Sequence, residues 1–191
     1  MLNEQQGRIL IRLARQTIEK HLKVDSADPV RPEELADPAL QARRGVFVTL
    51  KKRGQLRGCI GSLTGTETIV DGVRRHAANA AFNDYRFSRV TADELPELTI
   101  EVSVLTEPRS LAYQDADDLV RQLRPQVDGV ILADAAGRSA TFLPQVWEQL
   151  PSAPLFLGQL CLKAGLREDA WKTNNLQVQT YQVQYFEEGP S

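Results

Sequence analysis

Helical and two-residue periodicities share this chain, and together they predict a mixed α and β protein whose strands lie in hairpins. Three observations carry that expectation. Apolar residues recur at helical spacing near the N-terminus and again after Thr68. Residues 98–104 alternate between apolar and polar, as a half-buried strand does. Two apolar stretches, 46–60 and 130–143, are each interrupted by a turn that contains glycine.

Taken in order, Leu10, Leu13, Thr17, Ile18 and Leu22 predict an amphipathic helix over residues 4 to 23, with His21 at the rim of its apolar face. Residues 25–38, rich in Asp and Pro, read as a connecting loop. A hairpin follows, 46–50 with 56–60. A three-residue loop Lys52-Arg53-Gly54 would pair Leu50 with Leu56, Val48 with Gly58 and Val46 with Ile60 on a core face, leaving Phe47, Thr49, Arg57 and Cys59 on the other. Ile69, Val70, Val73, Ala77, Ala80 and Ala81 predict a helix, and its cluster Arg74-Arg75-His76 reads as a solvated face, with an anion clamp as the second reading. Asn83-Asp84-Tyr85-Arg86-Phe87 closes that helix with a mixture of turn-forming and bulky residues suited to lining a site.

Leu98, Ile100, Val102 and Val104 form the core face of the next strand, which places Glu101 on the side of Arg57 and Cys59 or simply on a wet face. Residues 115–124 predict a short helix, 130–133 with 140–143 a second hairpin, and 144–150 and 154–164 two helices. Ser152 is the expected cap of the last helix and Gly165 its stop, with Cys161 on the buried stripe. The strand-like tail 176–186 changes phase between Val178 and Tyr181, which a bulge near Thr180 would reconcile.

Composition bounds the function. With 191 residues the chain has room for one substantial core, and residues 1–191 read as a single domain. A net charge of −2 and sparse aromatics argue against a general nucleic-acid binder. The chain has no apolar run long enough to span a bilayer and no apolar segment of the signal-peptide kind, so a cytoplasmic protein is expected. Two cysteines make no disulfide framework, and a reducing compartment would keep both as thiols. No metal and no cofactor are expected: the two histidines have no close-set ligand partners, and neither a P-loop nor a dinucleotide fingerprint is present.

The chemistry concentrates at Leu56-Arg57-Gly58-Cys59-Ile60-Gly61. Glycine within a strand marks close approach by another backbone or a ligand, and a neighbouring guanidinium favours thiolate over thiol. A nucleophilic reading needs Cys59, Arg57 to tune it and Glu101 beside them; His76 on the following helix is a weak candidate base. The plainer reading makes Cys59 a structural or ligand-contact residue.

Gly45-Val46-Phe47-Val48-Thr49-Leu50, the Leu56 to Gly61 motif, residues 95–105, Asp128-Gly129-Val130, residues 141–148 and Cys161-Leu162-Lys163-Ala164-Gly165-Leu166 closely resemble, in this order, the AMMECR-one domain family. Its prokaryotic members are called AmmeMemoRadiSam system protein A, after a gene neighbourhood with a Memo-like protein and a radical S-adenosylmethionine enzyme. The resemblance implies an α+β fold of two unequal subdomains built on antiparallel sheets with flanking helices, and a cleft between them that the motif faces. It implies partnership with those two proteins and a large cleft ligand, protein or nucleic acid, but carries no established reaction; with the charge balance above, a peptide, carrier or other sizeable ligand is expected ahead of a nucleic acid. Mapped here, the implied ligand-contact residues are Gly58, Ile60, Gly61, Arg86, Gln145, Trp147 and Lys163, beside Cys59, Arg57 and Glu101. Relatives usually read Asp-Pro-Arg-Phe where this chain has Asp84-Tyr85-Arg86-Phe87, a departure expected to change the turn.

Overall fold

A computed structural model describes residues 1–173 and 176–189. The chain divides into two compact units: Met1–Leu105 joined by the chain from Gln184 onward, and Thr106–Val183. Each has a four-stranded sheet with an antiparallel hairpin at one edge and its own helices, so the α+β class with two sheets and flanking helices holds.

In the first unit, helix α1 (Glu4–His21) starts at Asn3, whose side chain caps the amide of Gln6 while the Gln6 side chain caps Asn3 in return. A short α2 (Pro32–Leu35) interrupts the expected loop, because Pro32 at its first turn has the helical φ and no amide to satisfy. Strands β1 (Val46–Lys52) and β2 (Gln55–Ser62) form the hairpin, α3 (Ile69–Phe82) follows under a Thr68 cap, and β3 (Leu98–Leu105) returns beside β1. The sheet order is β2-β1-β3-β8, where β8 is Val183–Glu187. Val46, Val48, Leu50, Ile100 and Val102 supply the sheet's half of a core completed by Leu10 and Ile18 of α1 and Val73 and Ala77 of α3.

The hairpin register differs from the expected one in an instructive way. Its loop has two residues, Arg53 and Gly54, at φ 50° and 78°, and left-handed conformations at both central positions define the tight turn that matches strand twist. The pairing then jumps from Lys51 opposite Leu56 to Leu50 opposite Gly58, leaving Arg57 as an extra residue, a β-bulge. The shorter loop and the bulge each move the register by one. Their sum is even, so Val48 meets Ile60, Thr49 meets Cys59, and every side chain beyond the bulge keeps its expected face. Leu56 lies before the bulge, pairs with Lys51 on the outer face and is 47% exposed, not in the core.

His76 is also a correction. Arg74 and Arg75 are exposed as expected, but His76 is on the buried side of α3, because it falls on the same helical face as Val73 and Ala80. Burial and the adjacent Arg75 push its pKa down, which favours a neutral ring.

The second unit orders its sheet β4-β7-β5-β6: Arg109–Ser110, Gln177–Tyr181, Gly129–Ala133 and Ser139–Phe142. Helix α4 is Ala116–Gln122, and α5 is Ala153–Lys163. Residues 144–148 form a single 3-10 turn, not the expected longer helix. Ser152 stands at the start of α5 without making a side-chain cap, whereas Gly165 at φ 74° ends it as expected. There the amide of Leu166 reaches the Cys161 carbonyl and that of Gly165 the Leu162 carbonyl, the paired bonds of a Schellman stop. Cys161 is fully buried with Leu119, Leu132, Trp147 and Leu160.

The phase change in the tail is a change of sheet. Residues 177–181 pair with β5 in the second unit; after Gln182, β8 joins β3 in the first. Each strand faces a different core, so the apolar residues need not keep one alternation, and no bulge is required. No helix among the described residues is long and apolar enough to cross a membrane.

Candidate functional site

The site is built on β2, the edge strand of the first sheet. An edge strand leaves alternate amides and carbonyls without a ladder partner. At Cys59 both are claimed by the loop after α3: the amide donates to the Asp84 carboxylate at 2.9 Å, and the carbonyl accepts from Arg86 Nη2 at 3.1 Å. Arg86 also closes on Asp84 through Nε at 2.9 Å and Nη2 at 2.7 Å. The Asp84 carboxyl is buried, and the Arg86 guanidinium and the Cys59 amide hold it well below the usual carboxylate range.

These groups are presented by a turn in which Tyr85 stands where the resemblance leads one to expect proline. Phe87 N–H donates to the Asp84 carbonyl at 3.1 Å, so residues 84–87 form a β-turn with Tyr85 at its second position, where proline is favoured but not required. Tyr85 itself is 94% exposed.

Because the Cys59 backbone points toward this edge, Cys59 and Thr49 form a non-hydrogen-bonded pair, the kind in which facing side chains approach most closely. Thr49 Oγ1 donates to Cys59 Sγ at 3.2 Å. The row across the outer face runs Cys59, Thr49, Glu101. Two strand spacings, roughly 10 Å, therefore separate the thiol-bearing and carboxylate-bearing backbones. Glu101 is instead engaged by Lys51 Nζ at 3.0 Å, and Lys51 also reaches Glu187 at 2.9 Å.

Arg57 leaves the row altogether. As the bulged residue it aims at Glu94, binding Oε1 through Nε at 3.0 Å and Oε2 through Nη2 at 2.9 Å, while Nη1 donates to the Ser88 carbonyl at 2.8 Å. Lys52 adds a third cationic contact to Glu94 at 3.0 Å. Arg57 in the first place, with Lys52 and the Thr91 amide, brings the Glu94 carboxyl down to about 2. Thus the expected grouping of thiol, guanidinium and carboxylate resolves into two separate ion pairs and a thiol beside a hydroxyl.

Both motif glycines are accounted for within the unit. A Cβ on Gly58 would run into the backbone carbonyl of Ala80, so this glycine lets α3 lie against β2. A Cβ on Gly61 would collide with the Phe47 ring, which lies directly over it. Ile60 turns inward and packs against the core.

The remaining expected contact residues belong to the second unit. Gln145 is exposed on the 3-10 turn. Trp147 is buried, stacked on Phe156 at 3.8 Å, and donates from Nε1 to the Asp128 carbonyl at 2.7 Å. Lys163 donates to the Thr141 carbonyl at 3.0 Å and sits over the Phe142 ring. Glu94 and Lys51 complete the site without having been singled out in the sequence, and Asp84 was named there only as part of the 83–87 segment. The one available signal was Thr91 three residues before Glu94, a capping-box pattern that the Thr91 amide and Glu94 carboxylate realise. Among the described residues, no three His, Cys, Asp or Glu side chains gather to hold a metal.

A family model described as AMMECR1 matches residues 11–186. A protein of Methanothermobacter thermautotrophicus is 38% identical, with 98% of this chain and 96% of that protein aligned. One from Thermofilum pendens is 36% identical, over 98% and 92%. The crystal structure of uncharacterised protein PH0010 from Pyrococcus horikoshii superposes with a TM-score of 0.78 at 33% identity, covering 99% of this chain and 96% of that one.

Proposed function

Because this chain belongs to the AMMECR1 family, we propose that it is a cytoplasmic binding component of a pathway served by a Memo-like protein and a radical S-adenosylmethionine enzyme, and not itself the catalyst. Its ligand, a peptide segment or carrier, rests on the outer face of β2, against Leu56, Cys59 and the exposed side of Arg86.

One observation carries this reading. The motif's guanidinium, Arg57, spends its donors on Glu94 and the Ser88 carbonyl, the group touching Cys59 Sγ is the neutral Thr49 hydroxyl, and the cation on the Cys59 backbone, Arg86, is itself paired with Asp84. A thiolate nucleophile is made by a base or a nearby cation. A thiol beside a hydroxyl, on a strand whose backbone is clamped, is suited to contact. Leu56 supplies apolar surface next to it, turned outward by the bulge.

The rate of Cys59 carboxamidomethylation by iodoacetamide at neutral pH tests the assignment, read by peptide mass spectrometry against free glutathione. A binding role predicts a rate no faster than glutathione. A rate more than tenfold faster would overturn it in favour of a thiol-dependent enzyme with Cys59 as nucleophile. A native mass spectrum of the tagged protein from its own host tests the pathway: a Memo-like or radical-enzyme chain bound to unmodified protein is expected, and a covalent adduct on Cys59 contradicts the non-catalytic role.

A further inference from the structure

A second, separate feature of the first unit is a groove of about 990 Å³ between α1, α3 and the segment around α2. It shares no residue with the face around Cys59. Its lining mixes apolar residues, Leu13 of α1, Leu35 of the connecting segment, and Val70 and Ala78 of α3, with polar ones such as Gln16 and Gln41. Its rim is cationic on both helical walls: Lys20 from the last turn of α1, Arg74 and Arg75 from α3. Asp71 is the one carboxylate among the lining residues.

That local balance runs against the chain as a whole, which carries a net charge of −2. Asp71 does not cancel it. Its carboxylate accepts from the Thr68 hydroxyl at 2.8 Å in the α3 cap and lies 3.7 Å from Arg74, a loose pairing. Arg75 is held by Glu67, and Lys20 makes no ion pair among the described residues. The side chains of both Arg74 and Arg75 are about half exposed.

From a partly apolar lining under a cationic rim, we infer that the groove binds a small free amphiphilic anion, an acyl-chain or fused-ring body carrying a single carboxylate-like head. The volume is that of a site for one small molecule. The apolar body covers Leu13, Leu35 and Val70, and the head meets Lys20 and Arg74, where charge-assisted hydrogen bonds form without first breaking a strong ion pair. Long cationic side chains at such a rim lay their methylene stems on the ligand while their heads stay wet.

Isothermal titration of the full chain with sodium dodecanoate, below its micelle concentration, tests the inference, with dodecan-1-ol as the uncharged comparison. Saturable one-to-one binding of dodecanoate is expected, at least tenfold tighter than dodecan-1-ol. The double variant Lys20→Glu/Arg74→Glu should lose at least tenfold in affinity. Ala78→Trp should abolish binding by filling the groove, and unchanged thermal midpoints would show that both variants fold. Arg167→Glu, one such charge reversal on the second unit, should leave affinity unaltered. Equal binding of the alcohol, no effect of the rim variant, or binding only to anionic vesicles and not to monomeric dodecanoate would each overturn it.

Discussion

Asp84 and Cys59 are 25 residues apart, yet the carboxylate of one satisfies the amide of the other at 2.9 Å and so closes the open edge of the first sheet at the motif itself. A strand edge finished in this way offers no ladder to a passing strand. The clamp also accords with the pairing of Cys59 and Thr49 as a non-hydrogen-bonded pair, with the thiol on the outer surface opposite the Thr49 hydroxyl.

Asp84→Ala removes the acceptor for the Cys59 amide and for Arg86 together. The expected loss is about 2–3 kcal/mol, the range for hydrogen bonds to a charged group whose partners are left without it. Urea denaturation measures it, and a change below about 0.5 kcal/mol would show that the clamp contributes nothing to folding.

Tyr85→Pro should stabilise. Position 85 is the second residue of the turn closed by Phe87 and Asp84, where a proline has the required φ and restricts the unfolded chain. An increase of about 0.5–1 kcal/mol is expected. A decrease would mean that the Tyr85 amide or conformation matters to the turn in a way its hydrogen bonds do not express.

The Arg57–Glu94 pair makes stability depend on pH in a defined window. Glu94 is held at about 2 in the folded chain against an ordinary 4.5, so the pair stabilises fully above pH 4.5 and its contribution is lost as pH falls toward 2. Glu94→Gln should cost about 2 kcal/mol at neutral pH and flatten this acid limb. Denaturant melts at a series of pH values between 2 and 6 test both, and an unchanged slope in the variant would assign the limb to other carboxylates.

Gly58 and Gly54 separate two reasons for a glycine. Gly58→Ala pushes a methyl into the Ala80 carbonyl, which is backbone and cannot turn aside, and should destabilise by about 3 kcal/mol. Gly54→Ala meets no neighbour but sits at φ 78°, and should cost only about 1 kcal/mol of backbone strain. Thermal midpoints of the two variants rank them, and a reversed order would contradict the packing of α3 on β2.

Trp147→Phe isolates a hydrogen bond in the second core. The ring can still stack on Phe156, but the Asp128 carbonyl loses its indole donor, with an expected cost of about 1–3 kcal/mol. Trp147→Ala, which also leaves a cavity, should cost about 3–5 kcal/mol. Equal losses in the two variants would mean that the stacking contributes nothing.

The sequence by itself determined the class of fold and most of its elements: α1, α3, β3 and both hairpins, because each buries a face whose period is written in adjacent residues. It determined the outward face of Cys59 too, since a register error of two residues preserves facing. What only the tertiary structure decided depends on partners distant in the chain. The bulge at Arg57 is stabilised by Glu94, 37 residues away, and the Cys59 clamp by Asp84; neither pairing leaves a local period. Residues 176–186 read as one strand out of phase because the chain passes there from one sheet to the other, and alternation records only that a face is buried, not against which core. The two motif glycines mark a close approach in the sequence; that the approaching groups are the Ala80 carbonyl and the Phe47 ring follows from packing alone.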